Sequence, residues 1–173
     1  PLDQADPPRA ALACAIDMQR AMPVVNAWKA AQGLPAIEMG IGVHTGRVVV
    51  GNIGSEKRQK YGVVGAAVNL TARVEGYTVG GQVLTTAVTA ERAGPRLMRG
   101  AQRTVHPKGT DAPIQIIDVR GLGDAILPES HDELVPIAPL PVAWRRIEGK
   151  DLSGPEVEGE IVALADHAAV LRA

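Results

Sequence analysis

The chain has 173 residues, 46% of them hydrophobic, so it is long enough to bury a core and to hold one domain with part of a second. Eighteen basic against 19 acidic residues give a net charge of -1, which excludes the general attraction to nucleic acid that a basic domain shows. A single cysteine excludes an internal disulfide, and no apolar run approaches the roughly 18 to 20 residues that span a bilayer. We therefore expect a cytoplasmic globular protein with no membrane span.

The first predicted element is a long helix that begins near Pro7-Pro8, because proline suits the first helical turn. Apolar residues at helical spacing continue through Trp28, Pro23 predicts a kink, and Gly33 predicts the end. We interpret the stripe as core rather than as a groove lined by its methionines. The stripe consists of Leu12, Ala15, Ile16, Met18, Met22 and Val25.

The segment after this helix predicts three short strands. Apolar residues alternate on either side of His44-Thr45-Gly46, which is typical of two strands joined as a hairpin by a glycine-containing turn. The charged run at 56–58 interrupts the alternation, and Tyr61 to Val64 resumes it as a third strand. The glycines do not form a recognised phosphate-binding loop, and we expect them to mark close approach of another backbone or a bulge.

A helix over 66–75 follows the third strand, since small or apolar residues recur there at i, i+3, i+4 and i+7. Asn69 and Arg73 lie one turn apart on a different face and can hydrogen-bond one sugar or phosphate. From spacing alone, a solvated helix face is the commoner explanation of such a pair.

Downstream, the sequence predicts a strand over 83–85, a helix over 87–93 and a final strand pair that includes an apolar strand over 114–119. In this order, the elements predict an α+β domain whose antiparallel-rich sheet is covered by helices on one face.

Residues 40–75, GIGVHTGRVVVGNIGSEKRQKYGVVGAAVNLTARVE, resemble the central segment of the class III adenylate/guanylate cyclase catalytic domain. The agreement is tightest in HTG, VVVGNIGSEKR, YxVxGxxVN and the arginine that follows, and the resemblance extends to about Gly123. It implies a ferredoxin-like nucleotide cyclase core that is incomplete at its N-terminus. It also implies that Asn69 orients the ribose and that Arg73 stabilises the transition state when ATP is converted to 3′,5′-cyclic AMP and pyrophosphate in intracellular signal transduction.

The resemblance implies two further substrate-binding positions. Lys108 matches a lysine that binds the triphosphate, although the second lysine of that motif is Thr110 here. Gly62 occupies the position that reads the purine base, where the family typically has Asp, Thr or Cys, so ATP is favoured over GTP only by the bacterial style of the surrounding sequence. Ala66, where the family often has Asp or Asn, is another departure.

The resemblance further implies a head-to-tail homodimer and two divalent ions, Mg or Mn, held by aspartates that we expect upstream of Pro1. This chain then contributes no metal ligand and only the transition-state half of the site, so we expect it to be inactive alone. The alternative is a catalytically inactive homologue that acts as a nucleotide-binding or dimerising module, and two upstream aspartates would discriminate between these functions. A nucleic-acid binder is disfavoured, because the chain has no Phe and no basic excess.

The sequence predicts three regions. Residues 1–123 are the C-terminal portion of a cyclase domain, 124–141 a proline-rich linker, and 142–173 a partial β-rich unit with strands over 142–147 and 160–164. Arg145-Arg146 and the ALADHAAVL segment are similar to parts of a PilZ barrel, although the Asp/Asn-x-Ser-x-x-Gly pattern is not met.

Overall fold

The computed structural model describes residues 5–107, 110, 112–128, 135–148, 151–164 and 169–172. The chain divides into two compact units, Pro1–Pro128 and Glu129–Ala173. In chain order the first unit contains α1 (Pro7–Ala31), β1 (Ile41–Val43), β2 (Val49–Ser55), β3 (Arg58–Val64), α2 (Ala66–Glu75), β4 (Val83–Thr86), α3 (Ala87–Ala93), β5 (Leu97–Val105), β6 (Ile114–Leu122) and β7 (Ala125–Ile126). These elements confirm the predicted α+β class.

The central sheet of the first unit has the strand order β1-β4-β6-β5, and β7 pairs with β6. β1 and β4 are parallel, whereas β6 is antiparallel to β4, β5 and β7. The predicted final strand pair is therefore formed by β5 and β6, and the sheet is rich in antiparallel pairs, as expected.

The predicted hairpin across His44-Thr45-Gly46 is wrong. β1 pairs with β4, where Ile41 lies opposite Val83. β2 instead pairs with β3 in a separate two-stranded sheet that turns at residues 56 and 57. Alternating apolar residues predicted the strands correctly, but alternation does not identify the partner of a strand, and here the partner of β1 follows α2 in the sequence.

The helices lie on both faces of the central sheet, so the prediction of one covered face is also wrong. Successive strand residues point to opposite faces, and β4 is buried at all four positions, which is typical of a strand covered on both sides. The core shared with α1 and α3 consists of Leu12, Ala15, Ile16, Val83, Ala90, Ala93, Leu97, Ile117, Val119, Leu122 and Leu127. The core shared with α2 consists of Val74, Leu84, Val105 and Ile116.

Helix α1 is buried only along its first half. It begins after Asp6, whose side chain accepts a hydrogen bond from the backbone N–H of Arg9, and it continues through Pro23. The predicted stripe is correct for Leu12, Ala15 and Ile16, but Met18 and Trp28 are 46% and 62% exposed. No helix in the described part of the chain is long and apolar enough to span a membrane.

The second unit contains three antiparallel strands in the order β10-β9-β8. They are β8 (Val135–Glu148), β9 (Asp151–Leu164) and β10 (Ala169–Arg172). β8 and β9 are longer than the predicted strands, and β8 includes residues 135–141 of the predicted linker. The register of β8 shifts between Pro136 and Leu140, as expected where prolines cannot donate to the ladder. Residues 165–168 of the ALADHAAVL segment lie outside the described residues, so the PilZ-like interpretation and the domain boundaries stay predictions.

Candidate functional site

Helix α2 carries both residues for which a catalytic role was predicted, and its bounds are those expected from the sequence. Leu70 and Val74 pack into the second core, while Asn69 is exposed and Arg73 is half-buried. Within the described part of the chain, neither the Asn69 amide nor the Arg73 guanidinium has a hydrogen-bond or ion-pair partner. The two groups are therefore available to a ligand, although their predicted roles stay predictions.

The start of α2 is formed by Gly65, whose φ of 149° lies in a region that side chains disfavour. Its carbonyl accepts backbone hydrogen bonds from Val68 and Asn69 at 3.0 and 3.4 Å. A β-carbon at Gly65 would lie 3.2 Å from the carbonyl oxygen of Arg47. Asn69 thus lies one helical turn after Gly65, and Gly65 packs against the segment between β1 and β2.

Two glycines on the β1 side allow α2 to pack at backbone distance. A β-carbon at Gly42 would lie 2.7 Å from Cα of Glu75, and one at Gly46 would lie 2.5 Å from Cβ of Ala67. Close approach of another backbone was expected at the glycines of this stretch and is confirmed at Gly42, whereas the nearest neighbour at Gly46 is a side-chain atom and a β-carbon at Gly51 would have nothing within 4 Å. The approaching element is α2 of the same chain, so Gly42 and Gly46 place the helix that bears Asn69 and Arg73.

His44 directly follows β1 and is the first residue of the loop over residues 44–48 that leads to β2. Its Nδ1 atom lies 2.8 Å from Oγ1 of Thr86. Thr86 Oγ1 lies in turn 3.2 Å from Oγ1 of the buried Thr89. Burial lowers the pKa of the His44 imidazole below its ordinary value of 6.5, so the ring is neutral at pH 7. The HTG motif marked this position, but nothing in the local sequence indicates Thr86, which the β1–β4 pairing brings beside it.

Gly62, which was predicted to occupy the base-reading position, lies in β3 opposite Gly51 and is half-buried. A β-carbon at Gly62 would find Ile53 Cδ1 at 3.6 Å as its nearest neighbour, an ordinary contact, and the φ of Gly62 is not positive. Neither packing nor backbone geometry therefore requires glycine here. Lys108 lies outside the described residues, and its neighbour Thr110 hydrogen-bonds through Oγ1 to the carbonyl of Pro107 at 2.7 Å.

A buried carboxyl, Asp118, lies on the α2 side of β6 and was not singled out from the sequence. Its side chain is 12% exposed and lies 3.4 Å from Nη1 of Arg120. Burial raises the pKa of Asp118 above its ordinary 3.8, while the charge of Arg120, a hydrogen bond with Gln82 and the charge of Arg103 act in the opposite direction. Asp118 was hidden from the sequence pattern because β6 also contains Gln115 and Arg120, so a further polar residue in this strand gives no sign that its side chain is buried.

The raised pKa of Asp118 predicts a specific pH dependence of stability. Between pH 3.8 and the raised pKa, the folded state holds a proton that the unfolded state has lost, so stability falls as pH rises through this window. Compared with Asp118→Asn, the parent should therefore gain stability as pH is lowered from about 7 to about 4.5. Urea unfolding of both proteins measures this difference, and a difference that does not change with pH would contradict the expectation.

Residues 3–109 match the family model of the adenylate and guanylate cyclase catalytic domain. This match extends over more than half of the chain, so the chain belongs to this family, as the resemblance of residues 40–75 predicted.

Curated relatives include two adenylate cyclases. An adenylate cyclase of Anabaena cylindrica is 38% identical over 119 residues, which are 64% of this chain and 24% of the relative. Adenylate cyclase 1 of Rhizobium meliloti is 29% identical over 115 residues, which are 65% of this chain and 17% of the relative. The chain thus spans about a quarter of the first relative and less of the second.

Solved structures of cyclases share the fold. The guanylyl cyclase Cya2 is 51% identical with a TM-score of 0.71, covering 74% of this chain and 66% of that chain. The adenylyl cyclase CyaB from P. aeruginosa is 29% identical with a TM-score of 0.63, covering 69% of this chain and 61% of that chain. These similarities confirm a nucleotide cyclase fold. The similar proteins include both adenylate cyclases and a guanylyl cyclase, so their names do not decide between ATP and GTP.

Proposed function

We propose that the protein is an adenylate cyclase that converts ATP to 3′,5′-cyclic AMP and pyrophosphate in intracellular signal transduction. The observation that carries this proposal is the pair Asn69 and Arg73, which the resemblance of residues 40–75 matches to the amide that orients the ribose and the guanidinium that stabilises the transition state. Both lie one turn apart on α2 without a partner among the described residues. The names of the two curated relatives support ATP, whereas the Cya2 structure supports GTP as the competing substrate.

In this proposal, Asn69 hydrogen-bonds the ribose, so that its 3′-oxygen faces the α-phosphorus. The 3′-hydroxyl releases its proton to water as its oxygen forms the new bond to the α-phosphorus, the bond from the α-phosphorus to the bridging oxygen of the β-phosphate breaks, and pyrophosphate leaves with that electron pair. Arg73 donates two parallel hydrogen bonds to phosphate oxygens whose charge grows during this displacement. Lys108 is proposed to bind the triphosphate.

The family generally uses two divalent ions, which we expect to be Mg or Mn. No group of three or more His, Cys, Asp or Glu side chains in the described stretches is arranged to hold such an ion. We propose that aspartates outside the described residues hold the ions. The roles proposed for Asn69 and Arg73 do not depend on which residues these are.

The experiment that tests the proposal uses the full-length protein with ATP or GTP in the presence of Mg²⁺ or Mn²⁺, with the product identified by mass spectrometry. We expect cyclic AMP and pyrophosphate in equal amounts. Nucleotide binding without any cyclic product would instead support the inactive regulatory module, which the departures at Gly62 and Ala66 favour.

The β2–β3 sheet supports a homodimer. Val49, Tyr61 and Val63 are 66%, 59% and 47% exposed, and a two-stranded sheet is marginal unless another surface covers it. We propose that a second copy of the chain covers this sheet and completes the site.

A homodimer with shared sites predicts that the specific activity of the full-length protein falls on dilution, in parallel with the dimer fraction. Activity assays and mass photometry over the same concentration series measure both quantities. A strictly monomeric species with constant specific activity would contradict this prediction.

The open position at Gly62 predicts a change in purine preference. A carboxylate at 62 can accept a hydrogen bond from the 6-amino group of adenine but not from the 6-oxygen of guanine. Gly62→Asp should therefore raise the ratio of kcat/KM for ATP to that for GTP by about 10-fold. Gly51→Asp, across the strand pair, is the matched control, and an equal change in both variants would show that position 62 does not read the base.

A further inference from the structure

A continuous set of contacts connects the buried end of β4 to the first turn of α2. Thr89 is 0% and Thr86 is 5% exposed, and the Thr86 hydroxyl lies 3.2 Å from that of Thr89 and 2.8 Å from His44 Nδ1. At the other side of the imidazole, a β-carbon at Gly46 would lie 3.3 Å from His44 Nε2 and 2.5 Å from Ala67 Cβ. The His44 ring is thus hydrogen-bonded to Thr86 on one side, and on the other it lies so near Gly46 that a side chain there would crowd it.

The hydrogen bonding of Thr86 is unusual for its position. Thr86 is the N-cap residue of α3, where a threonine hydroxyl ordinarily accepts a hydrogen bond from the backbone of the helix. Here the side chain makes no capping hydrogen bond. It is directed instead to His44 and Thr89. The hydroxyl of Thr86 therefore hydrogen-bonds the imidazole of His44 and does not cap α3.

We propose that His44 is a positioning residue whose hydrogen bond to Thr86 holds the loop at Gly46, and through it the first turn of α2, where Asn69 and Arg73 require it. This inference rests on the proposed cyclase activity for its kinetic effect but not for its structural effect. The loop touches α2 again at its start, since a β-carbon at Gly65 would lie 3.2 Å from the Arg47 carbonyl oxygen and 3.5 Å from Cα of Val48. A shift of the His44 loop therefore displaces the N-terminal residues of α2.

The test compares variants that keep or remove the bond in the full-length protein. In His44→Asn, an amide atom occupies the place of Nδ1 and retains the hydrogen bond, whereas in His44→Gln the amide lies one bond farther out and does not. Thr86→Ser retains the hydroxyl, and Thr86→Val removes it at nearly constant shape. The matched control is Thr85→Val, because the Thr85 hydroxyl also bonds β1, through the Val43 carbonyl at 3.0 Å, but does not bond the imidazole.

We expect His44→Gln and Thr86→Val to lower kcat by about 10- to 10²-fold with a small change in KM, since a misplacement of about 1 Å has effects of this size. His44→Asn, Thr86→Ser and Thr85→Val should retain kcat within about twofold of the parent. The double variant of His44→Gln with Thr86→Val should be no slower than either single variant, because both remove the same bond.

Hydrogen exchange gives a second readout that needs no activity. Amides of residues 66–70 should exchange faster in His44→Gln and Thr86→Val than in Thr85→Val. Unchanged exchange in 66–70 with a normal kcat in His44→Gln would overturn the proposal. If Arg73→Ala also left kcat unchanged, the proposed function would fail, while faster exchange in 66–70 would still establish that His44 positions α2.

Discussion

Replacing Arg73 with alanine in the full-length protein should lower kcat by about 10² to 10³ fold and should change KM far less. The guanidinium has no partner in the described part of the chain, so its removal breaks no hydrogen bond or ion pair with those residues. Its loss raises the free energy of the transition state, in which negative charge grows on the phosphate oxygens. Folding should be retained, because the buried face of α2 is made by Leu70 and Val74.

Two variants sharpen the test of Arg73. Arg73→Lys should recover little activity, because an ammonium group on a flexible stem does not reproduce the planar pair of donors. Arg20→Ala is the control for loss of a surface arginine, since Arg20 is about half-exposed and its ion pair with Asp17 is long at 4.0 Å. An Arg73→Ala variant with the kcat and thermal stability of the parent would show that Arg73 is only a solvated helix residue.

Local patterns predicted the elements that carry the site, whereas long-range pairing decided how these elements meet. The bounds of α2 and α3 were predicted to the residue, because helical spacing and flanking glycines are local signals. The predicted partner of β1 was wrong. The local pattern of this three-residue strand does not identify its partner, β4, which lies about 40 residues later in the chain. The same limit explains why the apolar stripe of α1 predicted burial of Met18 and Trp28, whereas beyond Ile16 it is the polar Gln19 that is buried, through hydrogen bonds to the carbonyls of Met39 and Gln82.

The pairing of β1 with β4 also explains which site residues were missed. β4 lies between β1 and β6 in the sheet. This order brings His44, which follows β1, to Thr86 at the end of β4, and it brings Asp118 of β6 to Gln82, which precedes β4. Asn69 and Arg73, by contrast, are neighbours on one helix, and their juxtaposition follows from spacing alone. Sequence therefore predicted the groups proposed to contact substrate better than the groups that support them.

Gly42→Ala should destabilise the first unit by about 1 to 3 kcal/mol, the usual cost of overpacking. The added methyl group would lie 2.7 Å from Cα of Glu75, and backbone cannot rotate away as the end of a flexible side chain can. Either α2 or β1 must shift. Gly42 lies opposite Leu84 in the β1–β4 ladder, and this pairing resists movement of β1, so we expect α2 to move.

Movement of α2 at Glu75 should also displace Arg73, two residues earlier, and lower kcat by about 10²-fold. Gly51→Ala is the matched control, because Gly51 lies in a strand with nothing within 4 Å of an added β-carbon and without a positive φ. Thermal unfolding and initial rates for both variants separate the two effects. A Gly42→Ala variant that loses stability but keeps kcat would mean that β1 shifts while α2 stays, and that contact with β1 does not set the position of Arg73.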